Sequence, residues 1–413
     1  VTSITDEAFR YDTALTKAVL NNKITGNYMF ADCTNLKDVS IDNVEMIEDY
    51  CFYKCSNLEK INDTVCDVTL NNGNVIPTGV NVFEDIITHI NSYAFYQCSR
   101  FKYPLDEISA ENSRITYIGA YAFYDDDRLG GYEQVTESVE DEDGNTTSTT
   151  KEVIQPLDLY LPRGLLTLGN SAFECSDNIV TVHSYDKLVF TNGTYTVDAS
   201  HQLASGGYTF AHIPSLEEAY IYGDNISRTI FYNDTKLRKV QMDDVTIISS
   251  GAFYNCDSLV SIELTEKTKS QIVTDENGVT QTKAEIAAGA NIFEYFVTTI
   301  ESHAFYDCAN FMYPLQDEDA AKRTLITSIG AYAFYNCDRL GGSNSSVAVP
   351  FELYMPYGLL TLGASAFENC NNVTKVTIYE NVESVGAKAF YKNTQNETVI
   401  FGSEDTATTH APV

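Results

Sequence analysis

Apolar positions recur in a fixed order along the chain's 413 residues. The clearest instance is Ile248-Ser-Ser-Gly-Ala-Phe253-Tyr-Asn-Cys256-Asp-Ser-Leu259-Val-Ser-Ile262-Glu-Leu264. An isolated apolar residue precedes the Phe by five places, a Cys follows the Phe by three, and a Leu follows the Cys by three. A short alternating run closes the unit, the period-two signature of a half-buried strand. The Phe returns at Phe9, Phe30, Phe52, Phe95, Phe123, Phe173, Phe210, Phe231, Phe253, Phe305, Phe334, Phe367 and Phe390, with the shortest steps 21 to 23 residues long. A unit of that length cannot enclose an apolar face by itself. The period therefore predicts a β-rich repeat solenoid of about thirteen turns, one per Phe, each burying its apolar face against its neighbours.

The same pattern places the elements. Residues 1–22 carry a decayed first turn, with Ile4, Ala8, Phe9 and Leu15 in the places of Ile248, Ala252, Phe253 and Leu259. Thr16–Leu20 reads as a strand or a short helical cap. Leu36–Ile41 holds the first clear strand, with Val39 and Ile41 inward and Ser40 outward. Asn-Gly pairs predict hairpins over 68–76, over 187–197 with its turn at Asn192-Gly193, and over 271–280. The insertion over 134–151 is acidic, then Thr-rich, with almost no apolar anchor, and reads as a mobile hairpin or loop. From Phe210 the text restarts: Phe210, Phe231 and Phe253 lie 201 residues after Phe9, Phe30 and Phe52. Ile118-Gly-Ala-Tyr-Ala-Phe123 is repeated as Ile329-Gly-Ala-Tyr-Ala-Phe334, and Gly164-Leu-Leu-Thr-Leu-Gly169 as Gly358-Leu-Leu-Thr-Leu-Gly363. The expected organisation is one solenoid over 1–413. It comprises a six-turn block over about 1–203, its duplicate plus a final turn over about 204–402, and a frayed tail or linker over 403–413.

The skeleton Ile-x-x-x-Ala-Phe-x-x-Cys-x-x-Leu-x-x-Ile-x-Ile/Leu resembles the BspA-type leucine-rich repeats of bacterial surface and secreted proteins. The resemblance covers nearly the whole chain. It implies a right-handed coil with one short strand per turn lining one face, and a role in adhesion or binding. It names no ligand.

Charge and composition narrow the function. With 26 basic and 58 acidic residues the net charge is −32, which repels phosphate backbones and argues against a nucleic-acid partner. Hydrophobic residues at 44% supply enough apolar surface for a continuous core despite that charge. No apolar run reaches the roughly 18–20 residues of a membrane span. Val1 already lies in a repeat context, so any signal peptide or anchor is expected outside this sequence. Cys33, Cys55, Cys98, Cys175, Cys256, Cys308, Cys337 and Cys370 fall at the Cys position of the repeat or within one place of it. Asp12, Asp126, Ile213 and Asp234 stand there in other turns. A position that accepts such exchange is a packing site for reduced thiols, with Cys51 and Cys66 the candidates for another role.

No Cys-x-x-Cys pair occurs, and His89, His183, His201, His212, His303 and His410 show no metal spacing such as His-Glu-x-x-His, so a zinc site is not expected. Asp125–Asp127 reads as turn decoration. Glu140–Asn145 fails as a calcium loop because Val139 and Thr150 would stand at its first and twelfth positions. Nucleophile-elbow and phosphate-loop motifs are also missing. The expectation is a non-catalytic, monomeric chain with no cofactor and no metal.

Six tyrosines of the Ala-Phe-Tyr corners (Tyr96, Tyr124, Tyr254, Tyr306, Tyr335 and Tyr391) are structural in this reading, each lying over the next turn. Tyr160, Tyr220, Tyr222, Tyr354 and Tyr379 instead fall at or just beyond the outward position of predicted strands. Strand propensity alone places Tyr there. Exposed aromatics on a rigid scaffold also suit glycan or protein recognition. Two functions follow. One is an extracellular or cell-surface adhesion module that binds a host or bacterial surface protein or glycan. The other is a structural spacer that presents a further domain.

Overall fold

In a regular turn the Phe occupies a corner between two short strands, as Phe52 does between Met46–Ile47 and Lys60–Ile61 and Phe253 between Ile247–Ile248 and Ser261–Leu264. The computed structural model describes residues 4–20, 24–64, 66–70, 73–140, 146–185, 189–191, 207–222, 226–243, 245–264, 272–274, 280–282, 289–315, 317–341, 343–344 and 347–402. Two units divide the chain, Val1–Leu216 and Glu217–Val413.

In the first unit the strands ahead of the corner form a parallel sheet in chain order: Met46–Ile47, His89–Ile90, Tyr117–Ile118, Thr167–Gly169 and Val189–Thr191. Those after the corner pair parallel as Lys17–Val19 with Asp38–Ser40 and Lys60–Ile61, and as Leu157–Tyr160 with Ile179–His183. The second unit repeats the plan. Ile247–Ile248, Thr299–Ile300, Ser328–Ile329, Thr361–Leu362 and Ser384–Val385 line one side. Glu218–Tyr222, Lys239–Asp243 and Ser261–Leu264 form one parallel set on the other, and Phe351–Tyr354, Val373–Ile378 and Thr398–Phe401 form another. Parallel pairing between successive turns is what a coil requires, because each strand is re-entered in the same direction. The turns approach closely where Gly follows the first strand: a Cβ on Gly363 would lie 2.2 Å from the Ala331 nitrogen.

The corners share one backbone rule. In all thirteen, the residues two before and two after the Phe have positive φ, from Glu7 and Tyr11 around Phe9 to Lys388 and Lys392 around Phe390. Only Gly251 among these is a glycine. Left-handed backbone at a non-glycine residue costs about 1–2 kcal/mol, so hydrogen bonding must offset it. It does: Tyr28, Phe30 and Asp32 donate their N–H groups to the carbonyls of Asp49, Cys51 and Tyr53 in the following turn, at 3.0, 2.8 and 2.7 Å. Phe253 and Asn255 do the same toward Ala304 and Tyr306. The rings inside stack. In the first unit centroids from Phe9 to Phe210 are spaced 5.1–5.8 Å, and in the second the series Phe231, Phe253, Phe305, Phe334, Phe367 and Phe390 is spaced 4.9–5.8 Å.

The Cys position has a hydrogen-bonding task. The thiols of Cys33, Cys55, Cys98, Cys256, Cys308, Cys337 and Cys370 each donate to the carbonyl of the Phe one turn earlier, at 2.8–3.1 Å. Burial raises these thiols, in most cases far above the ordinary value, and keeps them as donors. All ten cysteines are free. In the Phe173 turn the donor is Ser176, whose hydroxyl reaches the Phe123 carbonyl at 2.8 Å. Cys175 is displaced by one place, into the left-handed position after the Phe.

Several elements depart from the expectations. Phe9 is 41% exposed and Phe390 half-buried, because each has a stacked ring on one side only. Among the described residues four short helices were not anticipated: Val82–Asp85 and Ile292–Tyr295, N-capped by Asn81 and Asn291, and Glu107–Asn112 and Glu318–Arg323, N-capped by Asp106 and Asp317. They stand at equivalent places in the two units: Glu107–Asn112 and Glu318–Arg323 take the place of the strand after the Phe95 and Phe305 corners, while Val82–Asp85 and Ile292–Tyr295 follow the strands Lys60–Ile61 and Ser261–Leu264. Thr16–Leu20 resolves to a strand, Lys17–Val19. Ser40 is buried although outward, under the Asn62 side chain whose amide donates to it at 3.2 Å. Val189–Thr191 continues a parallel sheet, and the predicted turn at Asn192-Gly193 lies outside the described residues. Short antiparallel pairs join Val68–Thr69 to Val75–Ile76 and Ile272–Thr274 to Thr280–Thr282. The insertion read as a mobile hairpin or loop takes the hairpin form, an antiparallel ribbon of Tyr132–Glu140 with Thr146–Ile154. Charge supplies its missing apolar anchor: Glu152 pairs with Arg100 at 2.7 Å and with Arg128, and the Arg100 guanidinium lies 4.8 Å over the Tyr132 ring. Arg128, then Arg100, hold the Glu152 carboxyl down at about 2.

Candidate binding face

Three strands carry an acid two residues before a tyrosine: Asp158-Leu-Tyr160, Glu218-Ala-Tyr220 and Glu352-Leu-Tyr354. Period two puts the acid and the ring on one outward face, while Leu159, Ala219 and Leu353 between them are buried. The phenols are tethered. Tyr220 donates to Glu218 at 2.5 Å and Tyr354 to Glu352 at 2.9 Å. The next strand supplies a cation in register, Lys239 opposite Glu218 and Lys375 opposite Glu352. Lys239 lies 5.1 Å over the Tyr220 ring and within 3.3 Å of its hydroxyl, and Lys375 is 3.5 Å from Glu352.

In the first unit His183 stands opposite Tyr160, and the two rings stack at 4.5 Å and 11°. Beside them the Thr181 hydroxyl donates to Asp158 at 2.7 Å. Tyr160 and Tyr354, expected to be equivalent, both end strands that bulge after their first residue.

Burial raises Tyr160, Tyr220 and Tyr354 above the ordinary phenol value, with the Glu218 and Glu352 hydrogen bonds acting the same way on the latter two. The Tyr220 hydrogen bond, ahead of Arg238 and Lys239, lowers Glu218. The result is a protonated donor held against an ionised acceptor, with the ring fixed in place. Such a face offers rigid aromatic contact area and directed polar groups. Tyr222 is half-buried at the end of the Tyr220 strand.

Tyr379 does not join this face. It lies one residue beyond Val373–Ile378 and is 4% exposed, with its ring 5.3 Å from that of Tyr357. The alternation that would turn it outward is broken, since Val376, Thr377 and Ile378 are all buried.

Five of the six corner tyrosines stack as expected, Tyr96 and Tyr124 with Tyr53, and Tyr254, Tyr306 and Tyr335 with Tyr232, whereas Tyr391 in the last turn is 50% exposed. A second column went unread: Tyr28, Tyr50, Tyr93 and Tyr121, two places before their Phe, stack at 4.3–4.8 Å. Their faces are taken up by one another. Among the described residues, one group brings three metal-ligand types together: Glu174, Cys175 and His212. No helix of the described residues is long and apolar enough to cross a membrane.

The repeat geometry agrees with what comparison finds. The BspA type leucine-rich repeat region matches in six copies, over residues 1–70, 80–203, 224–274 and 327–410. The chain belongs to the BspA-type leucine-rich repeat family. The Phe305 turn lies outside the matched stretches, yet its ring stacks between Phe253 and Phe334 and its Cys308 donates to the Phe253 carbonyl as in the other BspA-type turns. No curated protein matches the chain. Among solved structures, a leucine-rich repeat protein of Bacteroides ovatus is 19% identical, with 96% of this chain and 87% of that one covered and a TM-score of 0.43. A leucine-rich cell surface protein of Faecalibacterium prausnitzii is 18% identical, with 100% and 87% covered and a TM-score of 0.33.

Proposed function

We propose that this chain is a non-catalytic binding module, displayed extracellularly or at the cell surface, that holds a protein or glycan of a host or neighbouring cell on its outward strand faces. Its scaffold is read as about thirteen turns in a duplicated six-turn block plus a last turn, and the molecule acts as a monomer. Family membership supports a binding role. The observation that carries the assignment to this face is the threefold recurrence of acid-x-Tyr, with two phenols tethered by their carboxylates. Aromatic side chains with few degrees of freedom lose little entropy on binding, and tethering reduces the loss further. A face repeated within one chain suits a multivalent ligand, where joint engagement multiplies weak affinities. A plain spacer has no need of that recurrence.

The test joins Tyr160→Ala, Tyr220→Ala and Tyr354→Ala in one chain and screens it beside the parent on glycan and matrix-protein arrays. Binding to the ligand captured by the parent is expected to fall at least about tenfold, the scale of an interface hot spot. Half-buried positions outside the core should leave the thermal midpoint nearly unchanged. Undiminished capture by a folded triple variant would discard this face in favour of the spacer reading.

A further inference from the structure

The residue two places after each Phe points its side chain along a column, and neighbours in that column bond to each other. Gln97 donates to Asp125 at 2.6 Å, Asn255 to Asn233 at 2.5 Å, and Asn336 to Asp307 at 2.7 Å. In one place the column changes chemistry. Cys175 and His212 are successive members of it, at φ 61° and 57°, on turns held together by the Cys175 N–H donating to Ala211 at 3.1 Å. Glu174, next to Cys175, accepts or shares a proton with His212 Nδ1 at 3.1 Å. One ligand atom from each of the three lies within 4.8 Å of the others.

We propose that Cys175 Sγ, His212 Nδ1 and a Glu174 carboxylate oxygen form a divalent transition-metal site, suited to Zn²⁺, that staples the Phe173 turn to the Phe210 turn. The donor set selects the ion. Thiolate with imidazole favours Zn²⁺ over Ca²⁺ or Mg²⁺, which take oxygen ligands. The geometry is close to what such an ion needs. Ligands about 2.0–2.3 Å from a tetrahedral zinc stand roughly 3.3–3.8 Å apart. The imidazole and carboxylate are already at 3.1 Å, and a rotation of the Cys175 side chain brings in the sulfur. The His212 side chain is 34% exposed and that of Glu174 14%, which leaves a route for the ion and room for water as the fourth ligand.

The second unit supplies an internal control. Phe367 is the duplicate of Phe173, and in it and the Phe390 turn that follows it the same three places hold Glu368, Asn369 and Lys392. An amide and an ammonium cannot replace a thiolate and an imidazole, so the duplication carries the carboxylate without the site. The stapled turns are also separated by more chain than adjacent turns need. Phe210 follows Phe173 by 37 residues, where the shortest turns take 21 to 23. A cross-link between those turns removes closure entropy that longer connections otherwise lose.

The full chain is titrated with Zn²⁺ alone in a non-thiol reductant, with calorimetry, metal analysis after dialysis, and thermal melting. One tight equivalent is expected, with a rise in melting temperature on saturation. Cys175→Ser and His212→Ala should each weaken that equivalent at least about tenfold and abolish the melting shift. Asn369→Ser with Lys392→Ala should change neither. Co²⁺ in place of Zn²⁺ should produce a thiolate-to-metal charge-transfer band that Cys175→Ser removes. Zn²⁺ uptake that survives both ligand variants belongs to dispersed surface carboxylates and overturns the proposal, as does the absence of a stoichiometric equivalent. Circular dichroism of each variant guards against misfolding. The His212→Ala result stands by itself if Cys175→Ser does not fold.

Discussion

Phe253→Ala is expected to destabilise the chain by about 3–5 kcal/mol, the loss seen when a buried aromatic is truncated and its cavity only partly closes. The ring is fully buried and stacked on both sides, 5.6 Å from Phe231 and 5.3 Å from Phe305. Removing it deletes two stacking contacts, each contributing about 0.5–1.5 kcal/mol beyond area burial. Against a typical total of about 5–15 kcal/mol, that is enough to uncouple the turns on either side. Phe9→Ala, at an exposed ring with one stacked neighbour, serves as the comparison and should lose under about 2 kcal/mol. Urea melts followed by circular dichroism give both values. In a repeat array the Phe253 variant should also broaden the transition, since cooperation between turns passes through the missing ring. Equal shifts for the two variants would show that the stack carries no cooperative stability.

The opposite sign is expected at Asp126, which fills the Cys position of the Phe123 turn. It is fully buried, and neither carboxyl oxygen completes a hydrogen bond. Burial, reinforced by Asp125 and Asp127, pushes its pKa well above the usual carboxylate range. The equivalent residue in the second unit is Cys337, which donates to the Phe305 carbonyl at 3.1 Å. Asp126→Cys should therefore stabilise the chain at neutral pH by about 1–3 kcal/mol, the penalty of an unsatisfied buried polar group.

The pH dependence separates this from a packing effect. A carboxyl raised on folding contributes its full stability below the unfolded value of about 3.9 and loses it as pH climbs through the folded value. The parent should thus weaken relative to the variant as pH rises above about 4, and the two should converge below it. Asp127, lifted to about 6 by burial and by Asp177 and Asp125, remains in both chains. Paired thermal melts from pH 4 to 8 measure the gap. A pH-independent difference would assign the gain to volume alone.

Repetition made the fold legible before any geometry was known. A fixed local pattern around one residue type, recurring at steps as short as 21 to 23 residues, predicts a coil, and the stacked Phe series follows from it. The corner chemistry was not legible. Nothing in the local text shows that the Cys thiol answers a Phe carbonyl, because that carbonyl lies one turn back. The exchange of Cys for Asp and Ile at that place was visible, but its hydrogen-bonding meaning was not. The four helices escaped because four or six residues set no 3.6 period. Asp106 three places before Ser109, a capping box in the structure, was their one readable sign. Tyr379 failed because strict alternation was extended one residue past the strand's end. The strand tyrosines were chosen singly, whereas their recurring acids emerge when the strands are set side by side. His212 lies far in sequence from the adjacent Glu174 and Cys175, and the three meet only when residues are numbered from their own Phe.

The one-way hydrogen bonding of the corners gives a stack of turns a polarity, like a row of plugs and sockets. N–H groups at the Phe and at the left-handed residues on either side donate only forward, to the following turn. A set of turns cut out whole therefore begins with open acceptors and ends with open donors. Two copies in tandem join without leaving a buried amide unpaired, and an inverted copy would set donor against donor. This backbone thus admits growth by direct duplication and rejects growth by inversion. The repeated text from Phe210 onward runs in the permitted sense.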